Sequence, residues 1–430
     1  MQKKIKLLYD ATILASVGKK NSNRSGIFWV GYEVAKTLMN NPKVELNFYV
    51  RPDKSKIIRQ NLKTFLPEFK DIPLYPKHWW YKKEVNHFIQ KKEQATVRKK
   101  SLKKIFYTLL LCSLKFVKIP AQFIQRKDRL FLKSMDVYLS PVEECPLEIK
   151  QSKTPYYTII YDTIPMLISD YWFDARTGDH WLQRLVNFMK KDQMGTYFAI
   201  SENTKKDFLK FVPEMDPNRI VVTPLACAST FHSCSKAETM KVLKKYQLPT
   251  NKKYVFSLCS LEPRKNLIRA VKTFVEFIKK NKIDDMVFVL GGGHWEDFID
   301  KLNDEIEGLG NYKDKIIKAG YIDDEDLAPL YSGAEWFVYT SQYEGFGLPP
   351  LEAMACGCPV ITSNNSSLPE VVGDAGIMID WDSDEQHVKA YEKYYKNPRF
   401  REGMRKRGLT RAKKFSWNKT VDLMVKEMWK

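Results

Sequence analysis

The sequence lacks the features that mark a membrane-spanning or disulfide-stabilised protein. Nowhere do 18 uncharged apolar residues occur in a row, so no transmembrane helix is predicted. The seven cysteines are odd in number, are scattered along the chain and form no CxxC pair, which argues against a disulfide framework or a zinc site. We therefore expect a reduced, cytosolic setting and a protein that is soluble or peripheral to a membrane.

The N-terminal stretch is not predicted to be a secretory signal peptide. Lysines precede apolar residues there, but Asp10 interrupts the apolar stretch too early. Charged and apolar residues alternate over residues 4–7, and this alternation is typical of a first β-strand.

The length of the chain predicts two domains. At 430 residues it exceeds what one hydrophobic core usually supports. Strand, turn and helix signals alternate along both halves, as in parallel α/β domains. We predict a first domain over 1–225, a second over 250–414 and a closing helix within 415–430 that packs back on the first domain. The predicted strands are 5–9, 46–50, 137–139, 156–161, 197–200 and 220–222 in the first half, and 254–258, 286–290, 316–319, 336–339, 360–362 and 376–379 in the second.

The formal charge of +20 comes mostly from one segment, residues 51–133, which has 22 lysines and arginines against six acidic residues. We predict that this segment is an insertion in the first domain, between its second and third strands. It also contains an aromatic run at 78–81 and an apolar run at 105–114. This composition fits an interfacial element attracted to anionic lipid, and equally a solvated helical insertion whose apolar stripe is ordinary core. No helix-turn-helix, RNP or zinc-finger pattern accompanies the charge, so nucleic acid is not an expected partner.

Residues 339–362, YTSQYEGFGLPPLEAMACGCPVIT, form the most informative motif. A strand is predicted to end near Tyr339, and the prolines at 349–350 stand where a helix can begin, because proline is tolerated in the first turn. Gly357 suits the left-handed position after a helix. Free amides at the helix start, beside the glycine-broken loop at 345–347, predict an anion site.

Glu344 and Glu352 are both expected to border that anion site. Glu344 follows the strand, and Glu352 is predicted in the first turn of the helix. A carboxylate suits ribose or sugar hydroxyls because it accepts two hydrogen bonds at once. For Glu352 taken alone, the alternative is that it merely complements the helix dipole.

A second motif, SLCSLEPRKNL at 257–267, follows a predicted strand and precedes an amphipathic helix. Arg264 and Lys265 at the carboxyl end of a strand could stabilise the negative charge that develops on a departing diphosphate. The alternative for this pair is a solvated loop with Asn266 as a helix cap. The triple glycine at 291–293 permits close backbone approach, and it is equally compatible with a simple turn.

Together, these motifs make residues 254–380 resemble the donor-binding half of glycosyltransferase family 4 (glycosyl transferases group 1), a family of retaining GT-B enzymes. The matching features are EPRKN at 262–266, GGG at 291–293, AGYIDDEDLAPLYSGA at 319–334 and the E-x7-E spacing of Glu344 and Glu352. The first half matches more loosely, in NRSGIFWVG at 23–31, YDTIP at 161–165, ISENT at 200–204 and FSWNKT at 415–420. The resemblance implies an α/β protein of GT-B type, with two Rossmann-like domains facing each other across a cleft.

The resemblance also implies roles for single residues. Arg264 and Lys265 would contact the donor diphosphate, Glu352 the ribose and Glu344 the transferred sugar. Tyr161 stands where many members have a histidine, so the role of that histidine is not carried over, and Ser260 and Leu261 stand where an arginine often precedes the cations. The remaining implied residues are Gly345, Phe346, Gly347, Leu348, Gly292 and Gly26 on the donor side, and Tyr161 and Asp162 on the acceptor or sugar side.

The implied reaction moves a sugar from a nucleoside diphosphate to an acceptor hydroxyl with retention at the anomeric carbon. The protein mainly positions the reactants and neutralises charge, so no metal and no cofactor is expected. We interpret the DxD triplet at 380–382 as a surface turn. The expected setting is bacterial surface polysaccharide or glycolipid assembly, with a glycan or lipid-linked acceptor at an anionic cytoplasmic membrane surface.

Three other classes of protein are alternatives to a glycosyltransferase. A glycoside hydrolase needs two carboxylates across the scissile bond and has no use for a diphosphate site. A nucleic-acid-binding protein would show salt-dependent retention on DNA or RNA. A non-catalytic nucleotide-sugar or lipid-binding subunit of a glycosylation complex stays open because of Tyr161.

Overall fold

The structure is a computed structural model that describes residues 3–16, 26–51, 54–75, 129–168, 181–293 and 296–430. Within these ranges the chain forms two parallel sheets flanked by helices, so the predicted α/β class is confirmed. The first sheet has the order β3-β2-β1-β4-β5-β6-β7. Its strands are β1 Ile5–Asp10, β2 Val44–Tyr49, β3 Leu74–Tyr75, β4 Val137–Ser140, β5 Tyr156–Ile160, β6 Thr196–Ala199 and β7 Ile220–Val222.

The second sheet has six strands in the order β10-β9-β8-β11-β12-β13. β9 reads MVFVLG and is buried along its whole length, as expected of a parallel strand covered by helices on both faces. The bounds of all six strands agree with the predicted bounds to within a residue or two. They are β8 Lys253–Leu258, β9 Met286–Gly291, β10 Ile316–Gly320, β11 Trp336–Tyr339, β12 Val360–Ser363 and β13 Gly376–Ile379.

Helices alternate with the strands in chain order, as the sequence predicted. Those of the first half are α1 Gly26–Met39, α2 Ser55–Thr64, α3 Leu147–Ser152, α4 Ile164–Leu167, α5 Trp181–Lys191 and α6 Glu202–Phe211. After these come α7 Lys236–Lys245, α8 Leu267–Asn281, α9 Glu296–Glu307, α10 Asp324–Gly333, α11 Leu348–Ala355, α12 Leu368–Val372, α13 Asp384–Lys396, α14 Pro398–Ala412 and α15 Trp417–Met428. None of the helices in the described ranges has the length and apolar character needed to cross a bilayer.

The basic segment 51–133 is not wholly an insertion between two core strands, and this corrects the sequence prediction. Its first part contributes α2 and the edge strand β3, which pairs in parallel with β2. A strand of two residues is too short to show alternation, which is why the sequence did not reveal it. The aromatic run at 78–81 and the apolar run at 105–114 lie outside the described residues.

The closing helix α15 packs against α1 of the first domain. The Asn41 side chain donates to Asp422 over 3.3 Å, and the Thr420 hydroxyl donates to the carbonyl of Pro224. Val421, Met424 and other buried residues of this helix belong to a hydrophobic core that also includes residues of both sheets. The chain therefore crosses between the two sheets twice, once after β7 and once before α15.

Candidate active site

The two chemical motifs meet because the strands that precede them are neighbours. β8 and β11 pair in parallel, with Val255 opposite Trp336, and the strand order of the sheet reverses between them. Open parallel sheets bind ligands outside the carboxyl ends of their strands at such a reversal. The loops that follow β8 and β11 carry Lys265 and Glu344, whose side chains are in contact.

A cavity of 1610 Å³ lies between the two sheets. Helix α1 and the segment after β5 contribute to its wall from the first domain, and the two loops and the start of α11 from the second. Its volume exceeds the roughly 300–1,000 Å³ of an ordinary small-molecule site, which leaves room for two ligands. Ten of the predicted site residues line it: Gly26, Tyr161, Asp162, Lys265, Glu344, Gly345, Phe346, Gly347, Leu348 and Glu352.

Glu344 is the centre of a buried ion-pair cluster. Its Oε1 lies 2.7 Å from Lys265 Nζ and 3.0 Å from Arg264 Nη1. Burial alone would raise the pKa of this carboxyl, but Lys265 and Arg264 outweigh burial and lower the pKa to about 2. Glu344 is therefore fully ionised at neutral pH, and its charge holds both cations at the end of the sheet.

The loop that carries the cations is buried, so the alternative of a solvated loop with an Asn266 cap is wrong. Glu262, Arg264 and Lys265 are 4%, 8% and 9% exposed. Asn266 makes no side-chain cap for α8. Its amide instead donates to main-chain carbonyls of two other loops, at 3.2 Å for Thr340. A cation loop held this firmly is preorganised rather than mobile.

Arg264 lies behind the cavity wall and Lys265 lies in it. The Arg264 guanidinium contacts Glu344, bonds to Glu262 Oε1 over 2.7 Å and donates to the carbonyl of Tyr343. Arg264 is not among the lining residues, whereas Lys265 is. In this arrangement Lys265 is the cation presented to a ligand, and Arg264 orients the carboxylate and the neighbouring loop.

Glu352 lines the same cavity, but it does not lie in the first turn of α11, and that prediction is wrong. Because α11 begins at Leu348, Glu352 is its fifth residue, where the helix dipole has little effect. Burial raises the pKa of its carboxyl to about 7, although a hydrogen bond from the Tyr331 hydroxyl, at 3.2 Å, opposes the rise. A ligand that donates hydrogen bonds to this buried carboxyl stabilises its ionised form.

The start of α11 offers fewer amides than an ordinary helix. Pro349 and Pro350 have no N–H, and the N–H of Leu351 bonds to the carbonyl of Gly347 over 3.3 Å. Gly347 has a φ of 112°, which favours glycine. Within the described part of the chain, the amides of residues 345–348 have no hydrogen-bond partner, so an anion would be held by this loop rather than by the helix turn.

Gly345 allows the halves of the molecule to approach each other. A Cβ on Gly345 would lie 2.8 Å from Asp162 Cβ and 2.9 Å from the carbonyl oxygen of Tyr161. Gly26 is the first residue of α1, but a Cβ there would lie 4.0 Å from Leu348, an ordinary contact distance, so this position does not require glycine. Both positions therefore face residues of the opposite domain.

Gly292 and Phe346 have structural explanations. Gly292 has a φ of 139°, and a Cβ on it would lie 1.8 Å from the carbonyl oxygen of Cys259, so only glycine lets the loops after β8 and β9 touch. Gly292 is not among the cavity-lining residues, although Gly293 is. The Phe346 ring packs edge-on against Phe415 at a centroid distance of 5.9 Å, which leaves its main chain as the part available to a ligand.

Tyr161 occupies the place of the expected histidine without presenting its hydroxyl to the cavity centre. The ring is 5% exposed, and its hydroxyl donates to the carbonyl of Pro141 over 2.7 Å. Asp162 accepts from the N–H of Ile164 at 3.1 Å and so begins the short helix α4. Burial raises the pKa of Asp162, and the nearby Arg264 opposes that rise.

Sequence reasoning missed three side chains that position the acidic residues. The Tyr339 hydroxyl accepts from Lys265 Nζ at 2.8 Å, the Tyr331 hydroxyl bonds to Glu352, and Ser366 accepts from the N–H of Glu344 at 3.0 Å. Both tyrosines lie within the quoted motifs, at the end of β11 and the end of α10. Their positions were visible in the sequence, but only the packing of the two elements reveals their partners.

Among the described residues, no group of three or more histidine, cysteine, aspartate or glutamate side chains is arranged to hold a metal ion. The DxD triplet at 380–382 forms a turn after β13. The Asp380 carboxylate accepts from the Gln386 side chain over 2.7 Å, and the carbonyl of Trp381 accepts from Asn266. These contacts explain the triplet as a structural turn.

Two Rossmann-like sheets that face a common cleft, with a closing helix returned to the first, define a GT-B protein, and the predicted GT-B fold is confirmed. The fold matches the crystal structure of Anabaena Alr3699/HepE in complex with UDP and glucose, with a TM-score of 0.67 and 14% identity over 100% of both chains. It also matches the crystal structure of WaaG, a glycosyltransferase involved in lipopolysaccharide biosynthesis, with a TM-score of 0.61 and 12% identity over 99% of both chains.

Residues 239–411 match the family described as glycosyl transferases group 1. The match lies in the C-terminal half, where the motifs indicated a resemblance to that family. The O-antigen chain mannosyltransferase B of Escherichia coli is 38% identical over 239 residues, which are 54% of this chain and 61% of that protein. The serotype-specific mannosyltransferase WbdA of Escherichia coli is 28% identical over 284 residues, 65% of this chain and 34% of that protein. The chain thus spans less than two thirds of either relative.

Proposed function

We propose that this protein is a retaining glycosyltransferase that moves a sugar from a nucleoside diphosphate to a hydroxyl of a glycan acceptor. The observation that carries the proposal is one cavity that contains a buried cation, loop amides with no partner among the described residues, and two carboxyl groups, one with a lowered pKa and one with a raised pKa. Lys265 and the amides of 345–348 suit a diphosphate, and Glu352 suits a ribose. Glu344 suits a hydroxyl of the transferred sugar.

The proposed chemistry breaks the bond between the anomeric carbon and the diphosphate oxygen, and the electron pair leaves with the diphosphate. The acceptor oxygen forms the new bond on the same face, and its proton passes to an oxygen of the departing phosphate. Lys265 and the loop amides stabilise the negative charge that develops on the diphosphate. A cavity that holds donor and acceptor together on the same face of the sugar removes part of the entropic barrier. No metal and no cofactor is required for this step.

Mannose is the first sugar that we propose for the donor. Support comes from the two Escherichia coli relatives, both described as mannosyltransferases, whose alignments cover more than half of this chain. Their O-antigen and serotype roles also support an acceptor that is a growing bacterial surface polysaccharide. The shared segment covers only part of each relative, so the sugar, the base and the acceptor all belong to the proposal.

The acceptor is further proposed to be lipid-linked, with the enzyme peripheral on the cytoplasmic face of the membrane. Support comes from the charge of residues 51–133, 22 basic residues against six acidic, which would attract anionic lipid headgroups. Flotation with anionic liposomes at low salt tests this step, and a protein that stays at the bottom of the gradient would refute it.

The second candidate is a non-catalytic nucleotide-sugar-binding subunit. One observation favours it: the residue at the usual histidine position, Tyr161, is buried and bonded to Pro141. Such a subunit would bind the donor without turning it over on any acceptor, so activity separates the two candidates.

Donor binding should raise the melting temperature of the protein, because a ligand that binds only the native state stabilises it. We expect the largest shift with GDP-mannose in a panel of UDP-, GDP- and dTDP-sugars, and turnover of the same donor on a polysaccharide fragment. The variant Glu352→Gln should weaken the shift. The matched control Glu276→Gln, at an exposed position of α8, should leave it unchanged. A protein that no nucleotide-sugar stabilises would contradict the proposal.

The pH dependence of binding sharpens this experiment. The pKa of Glu352 is raised to about 7 in the free protein, so its proton stabilises the fold at low pH and this contribution is lost as pH rises through 7. A ribose that donates to the carboxylate prefers the ionised form. Donor affinity should therefore increase about tenfold between pH 6 and pH 8, and Glu352→Gln should flatten the profile. An unchanged profile in the variant would remove Glu352 from the donor site.

A further inference from the structure

The first domain touches the donor loop directly, at the N-terminus of helix α6. The hydroxyl of Ser201, the residue before α6, lies 2.7 Å from the carbonyl oxygen of Gly345. The hydroxyl of Thr204 lies 3.1 Å from the same oxygen and 2.7 Å from the carbonyl oxygen of Tyr161. All of these contacts are buried, so each is shielded from competition by water.

The hydroxyl protons can be assigned by distance. Each hydroxyl has one proton to donate, so Ser201 donates to Gly345 and Thr204 donates to Tyr161, the two short contacts of 2.7 Å. Ser201 also accepts from the N–H of Thr204 over 3.0 Å and thereby caps α6. Ser201 thus begins a helix of one domain and fixes a loop of the other, and Thr204 holds the Tyr161 carbonyl against which Gly345 packs.

A carboxylate of the second domain completes the contact. The two oxygens of Glu370, in α12, accept from the N–H groups of Glu202 and Asn203, each at 2.7 Å. These are first-turn amides of α6 that the helix itself leaves unpaired, and a negative charge is favourable at this end of a helix dipole. The carbonyl of Glu370 is in turn held by Arg411 of α14, which anchors the carboxylate to its own domain.

The donor loop is also tied to α6 one residue before Glu344. The Asn203 side chain donates to the Tyr343 hydroxyl over 2.9 Å, and Arg264 donates to the carbonyl of Tyr343. Two residues later, Gly345 has no room for a side chain because Asp162 is in the way. The segment 343–345 is therefore clamped between α6 and the ion-pair cluster of Glu344.

We propose that Ser201, Thr204 and Glu370 form an interdomain latch that sets the shape of the donor loop 343–348. This inference rests on the proposed function. When the domains are together, the latch turns the carbonyl of Gly345 toward the first domain, which leaves the amides of 345–348 directed to the cavity. When the domains separate, the loop loses these bonds and its grip on the diphosphate. The three are positioning residues, because they act on the donor through the loop.

The latch predicts a specific kinetic pattern. Thr204→Val keeps the shape of the side chain but releases the Tyr161 carbonyl that packs against Gly345. Ser201→Ala removes the bond to the Gly345 carbonyl, and Glu370→Gln removes the charge from the α6 amides. Each should raise the KM for the donor roughly tenfold, the effect of losing one buried hydrogen bond. The KM for the acceptor should stay unchanged, and Thr204→Ser should restore the wild-type donor KM.

The matched control is Thr420→Val. Its hydroxyl also bonds across distant segments, to the carbonyl of Pro224, but it does not touch the donor loop. We expect this variant to melt at a lower temperature with an unchanged donor KM. A latch variant that loses thermal stability to the same extent as this control, with no change in donor KM, would overturn the proposal.

Hydrogen exchange without any nucleotide separates failure of the latch from failure of the proposed function. In the free wild-type protein the amide of Glu344, which is bonded to the Ser366 hydroxyl over 3.0 Å, should exchange slowly, and roughly tenfold faster in Thr204→Val and Glu370→Gln. Equal exchange in wild type and variants refutes the latch, whatever the protein binds. If exchange is faster in the variants but the protein binds no nucleotide-sugar, the contact between α6 and the donor loop is supported. Its role in donor binding is then overturned.

Discussion

Replacing Glu344 with glutamine should reduce kcat/KM for sugar transfer by roughly 10²–10³-fold, the cost of removing a preorganised charge from a reaction centre. The glutamine keeps the shape of the side chain, but it no longer neutralises Lys265 and Arg264, both within 3.0 Å of the carboxylate. The cations would then turn toward other partners, such as Glu262. Steady-state transfer with saturating acceptor measures the loss.

The variant should still fold, at a cost of about 1.5–3 kcal/mol for the lost charge-assisted hydrogen bonds. Lys265→Ala should lower transfer similarly, since it removes the cation that pairs with Glu344 at the cavity wall. The control is Glu335→Gln, whose side chain pairs with Arg401 at 2.8 Å in a partly exposed position and should matter by less than about 1 kcal/mol. Wild-type kcat/KM in Glu344→Gln would remove this residue from the reaction centre.

Replacing Gly292 with alanine should destabilise the protein by roughly 3–5 kcal/mol, because a strained φ and a backbone overlap act together. The new Cβ would lie 1.8 Å from the carbonyl oxygen of Cys259 at a φ of 139°. Gly292 donates its N–H to the carbonyl of Gly320 over 2.9 Å, so a shift would reach the loop after β10 as well. Urea unfolding followed by far-UV circular dichroism measures the change.

Gly403→Ala is the matched control for this substitution. Gly403 lies inside α14, and a Cβ there would meet no atom within 4 Å. Alanine is the better helix former, so this variant should gain about 0.5–1 kcal/mol. If both glycines responded alike to alanine, the close approach at Gly292 would not be the cause.

The strands and the place of the site could be predicted from the sequence because their signals are local. Buried parallel strands such as β9 are continuous apolar runs, and the break at Gly357, with a φ of 74°, ends α11 where expected. The fold then determines that the loops after β8 and β11 adjoin, so the Lys265 and Glu344 motifs could be assigned to one pocket before the structure.

The rest depends on contacts between distant residues, which spacing does not encode. The turn that contains Glu352 follows from where α11 begins, and two prolines allow more than one starting residue. The orientation of Arg264 follows from Glu262 and Tyr343, which lie in different loops. Tyr161 turns away because Pro141, twenty residues earlier, accepts its hydroxyl. In each case the deciding partner belongs to another element.

The two hydrogen bonds from the α6 amides to the Glu370 carboxylate have a consequence for how such proteins diversify. Exchange of whole halves between relatives would give new pairings of acceptor and donor. A half taken from another protein would lack the matching partner for the contact between Glu370 and the α6 amides. Substitutions at the two faces must then accumulate together. An exchange of halves therefore has to keep both sides of this contact for the carboxylate to retain its two backbone bonds.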